Sequence, residues 1–206
     1  MKETETIQQI LARRLRSGEM ADDDRVRIRI PDAKRLLMEA LVYYLQGRTQ
    51  WLPEYDGVAS WLEDNQGRGL FLIGNMGRGK TVMVRDVLPL IINRCAGKVV
   101  SYHRAAELNE YSSDNARRTV LRYDEIRRHK IIALDDVGTE PQACIYGETH
   151  DYFAELADDA EQRSRLLILT SNLDVAALRE RYGDRTVDRL TGLTTRVYFQ
   201  GGSLRR

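Results

Sequence analysis

The chain has 206 residues, 42% hydrophobic and 31% charged, with a formal net charge of +1. That balance suits one ordinary globular domain with a real core and excludes an intrinsically disordered chain. Near-zero net charge gives no reason to expect nucleic acid from bulk electrostatics, so any such contact must come from local patches.

In chain order, the opening "MKETETIQQILARRLRSGE" has no continuous apolar run and does not read as a secretory signal. Residues 3–17 and 32–47 carry apolar residues at helical spacing, the second through Leu36, Leu37, Ala40, Leu41, Tyr44 and Leu45. Asp32 after Pro31 marks a helix start and Gly47 a stop. Between them "RVRIRI" alternates charged and apolar residues, which predicts a short strand or an extended arm. "WLPEYDG" breaks the pattern, and residues 58–65 predict one more helix. Residues 1–66 are thus expected to form an N-terminal helical extension.

From Leu70 the rhythm becomes strand, loop, helix. The predicted strands are 70–73, 99–103, 131–135, 166–170 and 197–200, with helices at 80–95, 105–111, 117–128 and 148–162. Short apolar runs separated by helices predict an α/β domain over residues 67–206, its mostly parallel five-stranded sheet flanked by helices. "LFLIG" and "LLILT" are too short to span a bilayer. Cys95 and Cys144 have neither metal-ligand spacing nor a disulfide framework. A cytoplasmic protein with no membrane partner is expected.

"GNMGRGKT", residues 74–81, matches G-x-x-x-x-G-K-[ST] between a predicted strand and a predicted helix. Glycines let backbone N–H groups curl around phosphate oxygens, and the following helix points its positive end at them. Lys80 supplies a cation for the β- and γ-phosphates, and the Thr81 hydroxyl can ligate Mg²⁺. Gly74, Gly77, Arg78, Gly79, Lys80, Thr81 and Val82 are therefore the expected nucleotide contacts, with ATP and Mg²⁺ as cofactors. The bland alternative, a glycine-requiring turn, has no use for Lys-Thr at the same place.

"KIIALDDVG" supplies the second element, an apolar strand ending in two carboxylates. Asp135 is expected to hold the magnesium, and Asp136 to polarise the attacking water, with Glu140 as an alternative base. "LLILTSNL" supplies the third: Asn172, and next to it Ser171, could orient water or report hydrolysis at the γ-phosphate. A strand inserted between the loop-bearing strand and its sequence neighbour would bring Asn172 close.

The runs "LDDVGTEPQACIYGE", "LLILTSNL", "LRERYGDRTVDRL" and "VYFQGGSLR" together resemble the AAA+ ATPase domain of bacterial replicative-helicase loaders of the DnaC type. They also resemble the related IstB-type ATPases that assist transposition. The resemblance covers roughly residues 68–206 and implies a P-loop NTPase fold of the AAA+ (ASCE) type. It implies that Arg189 is an arginine finger, acting on the ATP of a neighbouring subunit, with Arg185 one turn earlier as the second choice. It also implies that Arg205 stands at the sensor-2 position. The expected partners are other copies of the chain through ATP interfaces, a replicative DNA helicase, and single-stranded DNA. The zinc ligands of larger loaders are missing, and binding to a helicase would fall to residues 3–47.

Arg117, Arg118, Arg122, Arg127, Arg128 and Lys130 crowd the segment before the acidic strand, with His129 among them and Tyr111 and Tyr123 as stacking candidates. Asp114, Asp124 and Glu125 alternate with these arginines, so a solvated helix face is the competing reading. His103 reads as a hydrogen-bonded structural histidine, and Trp51, Tyr55 and Trp61 either close the adenine pocket or anchor the core.

Overall fold

A computed structural model of the chain describes residues 25–46, 49–108, 116–141, 143–145 and 148–204. The helix expected at 3–17, together with Gly47, Tyr111 and Arg205, lies outside the described residues. The described chain begins with an extended arm over residues 25–30, followed by α1 (Ala33–Tyr44) and α2 (Glu54–Glu63). Next come β1 (Gly69–Gly74), α3 (Lys80–Val82), a π-helical turn (Met83–Val87), α4 (Leu88–Ala96) and β2 (Ser101–Arg104). A 3₁₀ turn (Ala105–Leu108), α5 (Ala116–Ile126), β3 (Ile131–Asp135), β4 (Ala143–Ile145) and β5 (Glu148–His150) come after them. The last elements are α6 (Tyr152–Gln162), β6 (Leu166–Ser171), α7 (Val175–Leu193) and β7 (Thr194–Phe199).

Five strands form one all-parallel sheet in the order β2-β3-β6-β1-β7, and β4 and β5 make a separate antiparallel hairpin. Alternate side chains of each central strand enter different cores, which is why the strands read as continuous apolar runs. Leu70, Leu72, Ile131, Ala133, Leu166 and Ile168 pack with α1, α2, α4 and the arm. Phe71, Ile73, Ile132, Leu134, Leu167 and Leu169 pack with α5, α6 and α7 on the other face. Each fully buried Leu or Ile contributes about 1.5–3 kcal/mol, so the two half-cores together hold the sheet against both helical layers.

Several elements differ from the sequence expectation. The break at "WLPEYDG" is itself a helix start: Pro53 has a helical φ of −55°, and Glu54 and Asp56 in the first turn oppose the positive helix end. The helix expected at 148–162 starts at Tyr152, because the Asp151 carboxylate caps it by accepting the Ala154 N–H at 3.0 Å. The preceding residues pair in the hairpin instead. The strand expected from 99 begins at Ser101, with Val99 outside it and exposed. The helix expected over 105–111 is a 3₁₀ turn that ends at Leu108. The last strand spans 194–199 rather than 197–200, preceded directly by α7. Within the helix expected at 80–95, the π-helical turn precedes Pro89, whose ring would press on the carbonyl of residue 85 in a regular helix.

The arm is not a strand. Val26, Ile28 and Ile30 are buried while Arg25, Arg27 and Arg29 are exposed, as the period-two pattern requires. Its backbone is matched by a side chain: Asn65 accepts the Ile28 N–H at 2.8 Å through Oδ1 and donates from Nδ2 to the Val26 carbonyl at 3.0 Å. Asn65 N–H donates to the Ile28 carbonyl at 3.2 Å, and Ile30 N–H to the Leu62 carbonyl at 3.0 Å. Arg68, just before β1, reaches across to the start of β7, donating to the Thr191 and Thr194 carbonyls at 2.7 and 2.6 Å, where α7 exposes the negative end of its dipole.

His103 sits 7% exposed on β2, its Nε2 2.8 Å from Ser101 Oγ and its Nδ1 3.3 Å from an Arg122 nitrogen. Burial, and next the Arg122 charge, push its pKa below the ordinary range, against a smaller opposing pull from Glu107.

Stability should respond at two of these places. Asn65→Ala leaves buried backbone groups of the arm unpartnered and is expected to cost about 2–4 kcal/mol by urea unfolding; a loss below about 0.5 kcal/mol would remove Asn65 from this role. Because folded His103 resists protonation, the unfolded chain binds more protons as pH drops below about 6.5, and stability falls from there toward the lower folded-state pKa. His103→Gln should flatten that part of the stability–pH curve between about pH 7 and 5, and an unchanged slope would assign the effect to other groups.

Candidate functional site

β1 ends where the phosphate-loop sequence begins, and three glycines shape the loop. Gly77 and Gly79 adopt left-handed φ values of 77° and 87°, conformations that a side chain disfavours. Gly74 is restricted differently, since a Cβ there would run into the backbone of Phe199 on β7. Gly79 is the N-cap of α3, so Lys80, Thr81 and Val82 form the first turn, whose N–H groups have no intrahelical acceptor and face the loop's concavity. The Lys80 ammonium donates to the Gly74 carbonyl at 2.6 Å, the Asn75 carbonyl at 2.8 Å and Asn172 Oδ1 at 2.8 Å. These three oxygens hold the buried ammonium against the loop.

The Arg78 side chain turns away from that concavity. Nε and Nη2 both donate to Glu54 Oε1, the former at 3.0 Å, and Nη1 donates to the Gly202 carbonyl at 3.3 Å. Arg78 and Glu54 are both buried, so this pair ties the loop to the start of α2. Only the Arg78 backbone is left for phosphate.

Asp135 ends β3, and three hydroxyls meet it. Thr170 donates to Oδ1 at 2.6 Å, Thr81 to Oδ1 at 3.3 Å, and Tyr102 to Oδ2 at 3.3 Å. Burial, followed by the Asp135 charge, pushes the Tyr102 phenol up to about 12, so it stays a donor at any working pH. A carboxylate and a hydroxyl in contact are the hard oxygen set that magnesium takes, and Thr81 and Asp135 fit it. Thr170 also accepts the Asp136 N–H at 2.8 Å. That contact accompanies the left-handed φ of 58° at Asp136, and Asn172 Nδ2 donates to Asp136 Oδ1 at 3.1 Å. Lys80, Asn172 and Asp136 are thus joined in one chain of contacts, with Thr170 linking it to Asp135 and Thr81. Ser171 has a different place: its hydroxyl donates to the Val137 carbonyl at 2.6 Å and holds the loop after β3.

Glu140 stands apart from that chain. It is 3% exposed, accepts the Gly138 N–H at 2.9 Å and the Tyr182 hydroxyl, and lies 3.7 Å from the Arg181 guanidinium. Burial, and next the Glu140 charge, raise the Tyr182 phenol far above its ordinary value. Glu140 therefore anchors the loop after β3 to α7. Gly183, just after this anchor, breaks α7 with φ 78° and ψ 160°. Beyond that break, Arg189 pairs with Asp158 and Glu161 of α6, the latter at 2.7 Å, with its side chain 14% exposed. Arg185 has a side chain 81% exposed, 3.7 Å from Asp158. The structure does not bring Arg189 or Arg185 to this chain's own phosphate loop.

Among the other sequence candidates, Tyr55 lies under the loop, its hydroxyl 3.7 Å from where a Gly79 Cβ would stand, and its ring packs on Phe199. Trp61 is buried and donates to the Arg68 carbonyl at 2.9 Å, a core anchor. Trp51 is half-buried beneath Lys34. In the basic segment, Arg122 pairs with Glu107 and Glu125, and Arg127 with Asp124, while Tyr123 is buried against Tyr152. The side chains of Arg117 and Arg118 lie outside the described residues.

Thr170, Tyr102 and Glu54 are site residues that the sequence reading missed. Thr170 had a signal, as the first polar residue after the four apolar residues of "LLILTS". Tyr102 and Glu54 had none, because each meets the site only through packing of segments distant in sequence.

The family model described as IstB-like ATP binding protein matches residues 52–206, a span that takes in α2 and Glu54 as well as the sheet. Among solved structures the chain is similar to DnaI, at 19% identity and a TM-score of 0.54, covering 84% of this chain and 82% of that one. It is also similar to AMPPCP-bound DnaA from Aquifex aeolicus, at 21% identity and a TM-score of 0.55, covering 77% of this chain and 50% of that one. At such identities the likeness is one of fold, the P-loop domain of AAA+ type. No curated protein sequence matches the chain. No helix among the described residues is long and apolar enough to cross a membrane. With the phosphate loop, the Asp135 carboxylate and Asn172 assembled on this fold, and the family match spanning most of its length, the chain belongs to the IstB-like ATP-binding proteins.

Proposed function

We propose that this protein is a cytoplasmic ATP-binding and hydrolysing accessory factor of DNA replication, a loader that assembles through intersubunit ATP sites on single-stranded DNA or a ring helicase. The observation that carries the ATPase part is the unbroken chain of contacts from Lys80 through Asn172 and Asp136 to Thr170, Asp135 and Thr81. Lys80 and the loop N–H groups bind the phosphates, and Thr81 and Asp135 hold magnesium. That ion, when bound, neutralises charge on the β- and γ-phosphate oxygens. Asn172 positions a water whose proton passes to Asp136 as its oxygen bonds the γ-phosphorus and the bond to the ADP oxygen breaks. Aspartate is shorter than the glutamate used at this place by many ATPases, which favours slow turnover stimulated by a partner.

Arg189 is the arginine finger in this reading, supplied to the ATP of a neighbouring copy, where its charge is worth most in the transition state. Its pairs with Asp158 and Glu161 are the resting contacts it leaves on assembly. Arg205 supplies a further cation to the nucleotide. The loader role draws on the resemblance of the "YGDRTVDRL" segment and on the fold shared with DnaI. The family match favours a second reading, an ATPase regulator of transposition acting with a transposase. A scaffold that binds ATP with little hydrolysis is the third, and Asp136 in place of glutamate is what favours it.

Lys80→Ala is expected to abolish ATP binding, while Asp136→Asn keeps binding and lowers phosphate release at least about tenfold, the low end for loss of a general base. Affinity capture from the native cell with the Asp136→Asn protein should then recover the replicative helicase, and recovery should be lost when Lys80→Ala is added. Recovery of a transposase would transfer the protein to the second reading. Phosphate release by wild type no faster than by Lys80→Ala, with and without single-stranded DNA, would leave only the scaffold.

Arg189→Ala should lower turnover by about 10³-fold with ATP affinity retained. Mixing Arg189→Ala with Lys80→Ala protein should restore activity, because one copy's intact site meets the other's intact finger. If mixing restores nothing and Arg185→Ala is the inactive variant, the finger is Arg185. Stability should shift by less than about 1 kcal/mol in Arg185→Ala, whose ion pair is at the surface, and by more in Arg189→Ala, whose side chain is largely covered.

A further inference from the structure

The segment beyond β7 crosses the outside of the phosphate loop. Asn75 N–H donates to the Phe199 carbonyl at 3.2 Å, and the Asn75 side chain to the Gly201 carbonyl at 3.2 Å. Arg78 Nη1 donates to the Gly202 carbonyl at 3.3 Å. Leu204 N–H donates to the Gly77 carbonyl at 2.9 Å. Contact is close as well as polar: a Cβ on Gly77 would collide with the Ser203 hydroxyl, and one on Gly201 would stand 3.3 Å from the Arg78 guanidinium. Residues 199–204 therefore hold three successive regions of the loop's outer surface.

The bond to Gly77 has a consequence for the inner surface. The Gly77 carbonyl and the Arg78 N–H belong to one planar trans peptide, so they point in opposite directions. Holding the carbonyl outward on Leu204 fixes the Arg78 N–H on the side away from the strap. Gly77, at its left-handed φ, would otherwise let this peptide turn over at little cost. The Arg78 side chain adds a second restraint, because its fork spans Glu54 and Gly202 and cannot follow a rotated loop without leaving a buried carboxylate unpaired.

We propose that residues 201–204 are a positioning strap for the nucleotide site, which keeps the Gly77–Arg78 peptide oriented for phosphate and so sets ATP affinity rather than the rate of the chemical step. This rests on the ATP-binding reading above. The strap meets the loop through the Gly77 backbone and the Asn75 and Arg78 side chains, whereas Asp135, Asp136 and Asn172 are held from β3 and β6. Any ligand that draws the strap off the loop weakens nucleotide binding by the same factor by which nucleotide weakens that ligand.

Leu204→Pro tests the strap with the full chain, since proline deletes one N–H and the Leu204 side chain is half in solvent. Leu204→Ala, which keeps the N–H, is the conservative variant. With a fluorescent ATP analogue as probe, Leu204→Pro should bind about 3- to 10-fold more weakly and dissociate faster, while Leu204→Ala stays within about twofold of wild type. KM for ATP should rise with kcat unchanged, and thermal unfolding without nucleotide should coincide for all three proteins. Equal affinity of Leu204→Pro and wild type overturns the strap alone. Failure of wild type to bind the probe overturns the ATP reading and the strap with it. If Leu204→Pro does not fold, a chain ending at Ser203 is compared with one ending at Leu204, since both lack Arg205 and Arg206 and only the second keeps the N–H that meets Gly77. Weaker binding by the chain ending at Ser203 supports the strap, and equal binding by the two overturns it.

Discussion

The parallel pairing of β6 between β1 and β3 is the constraint on which the site depends. β1 delivers the phosphate loop and β3 delivers Asp135, and a strand must lie between them for Asn172 to reach both Lys80 and Asp136. Parallel strands buried on both faces have little tolerance for slippage, since a one-residue shift would exchange the two half-cores. Register is therefore held by packing of Ile168 and Leu169 into opposite layers. Thr170 then falls at a fixed height, where one hydroxyl donates to Asp135 and accepts from Asp136. The geometry of the candidate site is inherited from the core.

A second dependence runs outward from β3 to α7. Glu140 is buried and would be costly without partners, and its partners are Tyr182, Arg181 and the Gly138 N–H. The loop that leaves Asp136 is thereby joined to the helix that carries Arg185 and Arg189. Gly183 lies between anchor and arginines, and its backbone departs from helical values. A displacement at Asp136 has a short physical path to α7, through one carboxylate and one phenol.

Segments far apart in sequence enclose the loop from the other side. α2 contributes Glu54 and Tyr55, β7 contributes the Phe199 carbonyl, and residues 201–204 cross the loop's outer edge. The arm packs three apolar residues into the same half-core as α2, so the residues preceding β1 and the nucleotide loop share one packing unit. Their helical reading stands for α1 and α2, and the arm is held by Asn65 in place of a neighbouring strand.

What the sequence determined by itself is local chemistry. The glycine spacing, Lys80 and Thr81 define a phosphate loop wherever a strand precedes and a helix comes after, and apolar runs buried on both faces announce a parallel sheet. The positions of Asp135, Asp136 and Asn172 were legible for the same reason, as polar residues at the ends of apolar strands. Boundaries were lost where a side chain or a proline acts on a neighbour, as with the Asp151 cap, the helix after Pro53 and the π-helical turn before Pro89. Tertiary structure alone decided the rest: that Glu140 faces α7 and not the phosphates, that Arg78 turns outward to Glu54, that Tyr102 reaches Asp135, and that residues 201–204 lie on the loop. Each of these is a contact between groups distant in sequence, and such contacts carry no periodicity or spacing. They exist because burying a charge or a hydroxyl demands a partner, and only the folded chain settles which partner stands within reach.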